Sequence, residues 1–138
     1  MKKTPTAQFF HLIPSMEKDY CMSLAVRAGD LLYIGGLTST DDEGNETFAD
    51  DAGKQMKSVY DKMGLILEAH GGCASDVVSE TIYYDVSGAD YEEFMFPYRQ
   101  AFYVGTDGPS VAGVQVAGFI SDAIKVEMTA IAYLPQTI

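Results

Sequence analysis

The sequence predicts an α+β domain in which two helices pack on one face of a mixed β-sheet. Two stretches with helical periodicity, 50–69 and 89–102, lie among runs that have the alternation and β-branched content of strands. The predicted order is therefore β-β-β-α-β-α-β-β. At 138 residues and 47% hydrophobic content, the chain is expected to form a single domain over residues 1–138.

The first part of the chain predicts three strands. Residues 8–13 form a short apolar run typical of an edge strand, and residues 14–19 look like a polar turn. Residues 22–26 and 31–35 predict two strands, and the Arg-Ala-Gly-Asp sequence at 27–30 is typical of a hairpin turn between them.

The first helix is predicted over 50–69, because apolar residues recur there on one stripe. Asp50 or Asp51 can cap its start, and Gly71 and Gly72 end it.

The second half continues with a strand at 77–86 that is rich in β-branched residues and tyrosine. The second helix is predicted over 89–102, with Pro97 kinking it or delaying its regular part. The last two strands are predicted at 110–116 and 124–134.

The last strand should have two different faces. One suits the helix layer and carries Ile124, Val126, Met128, Ala130 and Ala132. The other is mixed and carries Lys125, Glu127, Thr129, Ile131 and Tyr133. A mixed sheet face of this kind commonly becomes a subunit interface, so we expect the chain to self-associate.

Composition limits the classes of partner. The net charge is −11 with only nine Lys and Arg residues, which disfavours nucleic acid, since its binding depends on neutralising phosphates. No apolar run is long enough for a membrane span, and the start, residues 1–6, lacks the apolar core of a signal peptide. Cys21 and Cys73 are too few for a metal cluster or a disulfide framework, so reduced thiols in a cytoplasmic protein are expected.

Glu127 is the most conspicuous residue of the last strand. Burying a carboxylate costs several kcal/mol unless it is paired or neutralised. Glu127 therefore either lies on a wet face or an interface, or it serves chemistry.

The order and spacing of several segments resemble the RidA/YjgF family, also described as endoribonuclease L-PSP. The segment Ala-Val-Arg-Ala-Gly-Asp-Leu-Leu-Tyr-Ile-Gly-Gly at 25–36 carries much of the likeness. The other matching segments are 76–78, 90–91, 98–102, Pro109, 114–116, 126–127 and 130–132. Together they span most of residues 20–134.

The resemblance implies a chorismate-mutase-like fold and a homotrimer with small-ligand clefts between neighbouring subunits. It also implies hydrolysis of reactive enamines or imines to ketoacids and ammonia, without a metal or organic cofactor. In typical members a penultimate-strand arginine pairs with the substrate carboxylate, for which its planar fork is well suited. A glutamate in the last strand positions the attacking water, and a tyrosine, a serine and an asparagine complete the pocket.

Carried over by position, the glutamate is Glu127, the expected catalytic residue. The remaining pocket positions carry other residue types: Val111 for the arginine, Gly113 for a residue that is often cysteine, Gly35 for the serine, Met95 for the asparagine and Met22 for the tyrosine. Tyr20 lies two residues from Met22 and could serve if the loop differs. Lys125 either stands in for the arginine or compensates the charge of Glu127.

Losing a charged hydrogen-bond partner typically costs a few kcal/mol, so weak or absent activity on simple carboxylate imines is expected. Two functions stay open: a divergent enamine or imine deaminase that uses Glu127, and a non-catalytic ligand-binding or regulatory trimer. Glu127 itself serves either catalysis or an interface hydrogen-bond network. RNA cleavage is the least favoured function because of the charge.

Overall fold

The computed structural model describes residues 7–136 and confirms the α+β fold. Its strands are β1 (Gln8–Phe10), β2 (Ala25–Ala28), β3 (Leu31–Leu37), β4 (Val77–Tyr84), β5 (Ser110–Gln115) and β6 (Val126–Tyr133). Its helices are α1 (Pro14–Asp19), α2 (Ala52–Ala69), α3 (Gly88–Asp90) and α4 (Phe96–Phe102), with a 3₁₀ turn at Ala74–Asp76 and a π-helical stretch at Tyr91–Met95. Among these described residues, no helix is long and apolar enough to cross a membrane.

The sheet has the order β1-β2-β3-β6-β4-β5. β4 and β5 run parallel, and the other neighbouring pairs are antiparallel. The last strand, β6, is therefore central, whereas β5 lies at an edge and is exposed along its whole length.

The predicted two faces of the last strand are confirmed. Alternate residues of β6 are buried under the helix layer, and Val126 and Met128 have no exposed surface. Met56 and Met63 of α2 are equally buried and belong to the same core. Each such side chain contributes about 1.5–3 kcal/mol by leaving water.

The predicted first helix begins close to its expected position. Asp51 caps α2, because its side chain accepts a hydrogen bond from the backbone N–H of Lys54 at 3.0 Å. Gly71 follows the helix with a φ of 75°, a left-handed conformation that glycine adopts without strain.

The predicted second helix is interrupted, and Pro97 lies at the start of its last regular piece, α4. α3 comes first and is joined to α4 by the π-helical stretch. A π-helical turn places one extra residue in the helix and shifts the faces of the residues that follow.

The polar turn predicted at 14–19 is wrong, because these residues form α1. Pro14 occupies the start of this helix, where its missing N–H costs nothing. The hairpin therefore begins at Ala25 and not at Met22. The backbone N–H of Met22 instead donates to the Glu17 carbonyl at 2.9 Å, just after α1. The segment 1–6, for which we predicted no signal peptide, lies outside the described residues.

Candidate functional site

Glu127 lies on the sheet face opposite the helices. It is the cross-strand partner of Tyr83 on β4, while its neighbours in β6, Val126 and Met128, point into the core. Among residues 7–136 its carboxylate has no hydrogen-bond or salt-bridge partner, and burial raises its pKa above the usual value. A partly desolvated carboxylate without a partner has the properties of a general base.

The glycine pair on β3 shapes the surroundings of Glu127. The pairing of β3 with β6 shifts register between Ile34 and Leu37, which marks a β-bulge. Gly36 has a φ of 66°, and a Cβ built on it would lie 3.3 Å from Oε1 of Glu127. Gly35 lies beside Thr129, whose Cγ2 would be 4.0 Å from an added Cβ. The structure therefore brings Gly35 to the face that carries Glu127.

Lys125 is paired elsewhere, so our interpretation that it compensates Glu127 is wrong. Its Nζ lies 3.7 Å from Oδ1 of Asp50 and 3.9 Å from Oδ2 of Asp85. Its backbone N–H donates to the side chain of Gln55 at 2.8 Å, which fixes the start of the last strand. A lysine with two acidic neighbours is less available to a ligand than a free one.

Val111 and Gly113 lie on the opposite side of the sheet from Glu127. Val111 pairs with Glu80 across the parallel β4–β5 ladder, and Glu80 is buried under the helices. Gly113 is on the same side, because an added Cβ would lie 3.9 Å from the ring of Tyr84. One chain alone therefore cannot bring Val111 and Gly113 to Glu127.

The other predicted site residues are dispersed. Met95 is fully buried in the core, within the π-helical stretch, so in this chain it does not line a surface cleft. Tyr20 is 66% exposed at the end of α1. Met22 is partly exposed and lines an open groove together with His11 and Cys21.

A buried carboxylate network was missed by sequence reasoning. Glu80 is 1% exposed, and its carboxylate accepts from the hydroxyl of Tyr103 at 2.5 Å, from the hydroxyl of Tyr60 at 3.2 Å and from Nε of Arg99 at 3.0 Å. Burial is the main cause that raises the pKa of both tyrosine hydroxyls, with the charge of Glu80 adding to it. The sequence does contain a sign of this network, because Glu80 is a carboxylate within a largely apolar predicted strand. The same feature drew attention to Glu127.

Glu17 was also missed. It is completely buried, and its carboxylate accepts from the backbone N–H of Ile13 at 2.5 Å and of Leu24 at 2.6 Å. These bonds hold both ends of the segment that carries Tyr20 and Met22. Glu17 therefore positions two of the predicted substrate-binding residues.

The described residues contain no group of three or more His, Cys, Asp or Glu side chains placed to hold a metal ion. The functional groups available at the face of Glu127 are a carboxylate, hydroxyls and backbone groups. These can move protons and orient water or a polar ligand.

The fold and the glutamate-bearing strand place the chain in a known class of small α+β proteins. A profile of the endoribonuclease L-PSP family matches residues 13–134, and the chain belongs to this family, which is also called RidA/YjgF. A RutC family protein from Pyrococcus abyssi is 31% identical over 112 residues, which cover 80% of this chain and 84% of that protein.

Solved structures show the same fold. Rv2704 from Mycobacterium tuberculosis, described as a YjgF/YER057c/UK114 family member, superposes with a TM-score of 0.76 at 22% identity, over 93% of this chain and 99% of that one. RidA from the Antarctic bacterium Psychrobacter sp. PAMC 21119 superposes with a TM-score of 0.70 at 27% identity, over 81% and 87% of the two chains.

Proposed function

We propose that this chain is a single RidA-like domain that hydrolyses small imines or enamines in clefts between the subunits of a homotrimer. The main support for this proposal is Glu127, a partly buried carboxylate whose pKa is raised and which has no partner among the described residues. Such a group can take a proton from water at a pH near neutrality. The water oxygen then bonds to the imine carbon, the C=N double bond becomes a single bond, and the nitrogen gains the proton that Glu127 took. The new hydroxyl next gives its proton to the nitrogen as the carbonyl forms, the carbon–nitrogen bond breaks, and ammonia leaves.

The two sheet faces support a cleft between subunits. Glu127 and Val111 lie on opposite faces, so a ligand that contacts both positions must lie between two copies. The edge strand β5 is exposed along its length, which leaves its surface available to a second copy. Light scattering should give a mass three times that of the chain, and a monomer would remove this support.

The test of the chemistry is ammonia release from a panel of imines and aminoacrylates. Glu127→Gln should lower kcat by about 10²–10⁴-fold, the usual contribution of a general base. Glu68→Gln is the matched control, because Glu68 is exposed on α2, and it should leave kcat unchanged. Equal activity of Glu127→Gln and wild type would exclude the proposed role.

The pH profile supplies a second readout. Only the ionised carboxylate can accept a proton, so the rate of ammonia release should rise with pH as the Glu127 carboxyl group loses its proton. Since burial raises the pKa of Glu127, the midpoint of this rise should lie above the usual value of 4.5. A midpoint at or below 4.5 would assign the titration to another group.

Val111 and Gly113 favour a second candidate function, a non-catalytic ligand-binding or regulatory trimer. Neither residue offers the charge or the thiol that typical family members carry there. If no substrate of the panel is turned over and Glu127→Gln changes only ligand affinity, the binding function is the correct one. Val111→Arg should raise turnover of carboxylate imines if the chain is an enzyme whose cleft lacks only this group.

A further inference from the structure

Arg99 of α4 is an arginine fixed in place by a buried anion. Its Nε donates to Oε1 of Glu80 at 3.0 Å, and its side chain is 17% exposed, whereas that of Glu80 is 0% exposed. Its Cζ lies 4.9 Å from the centre of the Tyr103 ring, a cation–π contact. The guanidinium is therefore oriented before any ligand arrives.

The outer nitrogens of Arg99 are unused within residues 7–136. The bond from Nε to Glu80 is the only hydrogen bond of its side chain in this range. No buried side-chain nitrogen or oxygen in the described structure lacks a partner, so Nη1 and Nη2 must reach solvent. An arginine with both outer nitrogens free presents the planar fork that binds carboxylates through two hydrogen bonds.

The fork of Arg99 lies on the side of the sheet that carries Val111 and Gly113. Glu80, which holds it, is the cross-strand partner of Val111, and neighbouring strands are about 4.8 Å apart. Neither Val111 nor Gly113 bears a polar group, and Gly113 has no side chain to occupy the adjoining space.

Tyr91 adds a second donor near this position. Its ring packs on Tyr84 with 4.7 Å between centroids, and Tyr84 in turn borders Gly113. The Tyr91 hydroxyl makes no hydrogen bond in the described part of the chain. Burial is the main cause that raises the pKa of this hydroxyl, and the positive charge of Arg99 opposes it.

We propose that Arg99 is the residue of this chain that binds the carboxylate of a small ligand, with the Tyr91 hydroxyl as a second donor. In this proposal the guanidinium, held by Glu80 beside Val111, takes the part that a side chain at position 111 would otherwise play. The ligand class, a small 2-oxo or 2-imino acid, rests on the proposed function. The assignment of Arg99 rests on its fixed fork and its free nitrogens.

Arg27 is not an alternative. It lies on β2, away from β5 in the strand order, and its Nη2 donates to the Leu134 carbonyl at 2.6 Å while Nε donates to the Gly29 carbonyl at 3.1 Å. The hydrogen bonds of its guanidinium therefore go to backbone carbonyls. Arg27 therefore provides the matched control for a test of Arg99.

The test titrates the full chain with pyruvate and, separately, with its uncharged amide, and follows backbone and arginine side-chain resonances by NMR. Pyruvate should give saturable shifts at Arg99, Val111 and Gly113, and the amide should bind at least tenfold more weakly. Arg99→Gln should raise the dissociation constant for pyruvate at least tenfold, and Arg27→Gln should leave it unchanged. If Arg99→Gln does not fold, Arg99→Lys replaces it in the test, because lysine keeps the positive charge opposite Glu80. Arg99→Lys should also weaken the binding of pyruvate, since lysine lacks the planar fork.

Several results would overturn the assignment: no saturable binding of pyruvate to wild type, shifts confined to other parts of the chain, or an affinity that Arg99→Gln or Arg99→Lys leaves unchanged. The ammonia assay separates this failure from failure of the proposed function. Turnover that depends on Glu127 but not on Arg99 refutes only the carboxylate assignment. Pyruvate binding that depends on Arg99, in a chain without turnover, refutes only the catalytic proposal.

Discussion

Gly36→Ala tests how the backbone of β3 controls Glu127. Gly36 has a φ of 66°, and placing an L-residue there costs about 1–2 kcal/mol. The added methyl would also lie 3.3 Å from Oε1 of Glu127, so the carboxylate has to move by a few tenths of an ångström. The methyl excludes water from one side of the carboxylate, and we expect the pKa of Glu127 to rise further.

Gly29→Ala is the control, because Gly29 has nearly the same φ, 63°, and nothing within 4 Å of an added Cβ. Both variants should lose about 1–2 kcal/mol in urea unfolding at pH 7. Titration of the Glu127 carboxyl carbon by NMR should show a higher midpoint in Gly36→Ala alone. An unchanged midpoint in Gly36→Ala, or an equal rise in Gly29→Ala, would refute the close approach of Gly36 to Glu127.

Two further predictions concern the buried carboxylates. Glu17→Gln should lower the free energy of unfolding by about 2–3 kcal/mol, because one of its two charge-assisted bonds to backbone N–H groups is lost. If urea unfolding shows a loss as small as that of the exposed variant Glu68→Gln, this prediction is contradicted. Tyr103→Phe should cost about 1.5–3 kcal/mol, since it removes the 2.5 Å bond to Glu80. Calorimetry that finds Tyr103→Phe as stable as wild type would show that the network contributes little.

The fold could be predicted because its strands carry strong local signals. Alternation in β6 identified the buried face of the central strand, and the apolar stripe identified α2 within two residues at its start. The helix α1 could not be predicted in the same way. It has six residues, too few to show a period, and it is held by Glu17 through bonds to residues at both ends of its segment.

The site could be predicted only in part, because position along a strand does not say what lies across it. Glu127 was found from its own strand, and the structure adds Gly36 as its neighbour from β3. The partners of Lys125 are Asp50 and Asp85, which come from other parts of the chain and share no sequence spacing with it. Met95 is buried within the π-helical stretch, which has no clear sequence signal.

Three glutamates that are buried or partly buried show why an unusual position alone does not identify a functional residue. Glu17 is satisfied by two backbone N–H groups, and Glu80 by two tyrosine hydroxyls and an arginine. Both are more buried than Glu127, yet their hydrogen bonds offset the cost of burial, which suits a structural role. Glu127 alone among the three has no protein partner in the described structure, so the groups that would complete its surroundings are water, a ligand or a second copy of the chain.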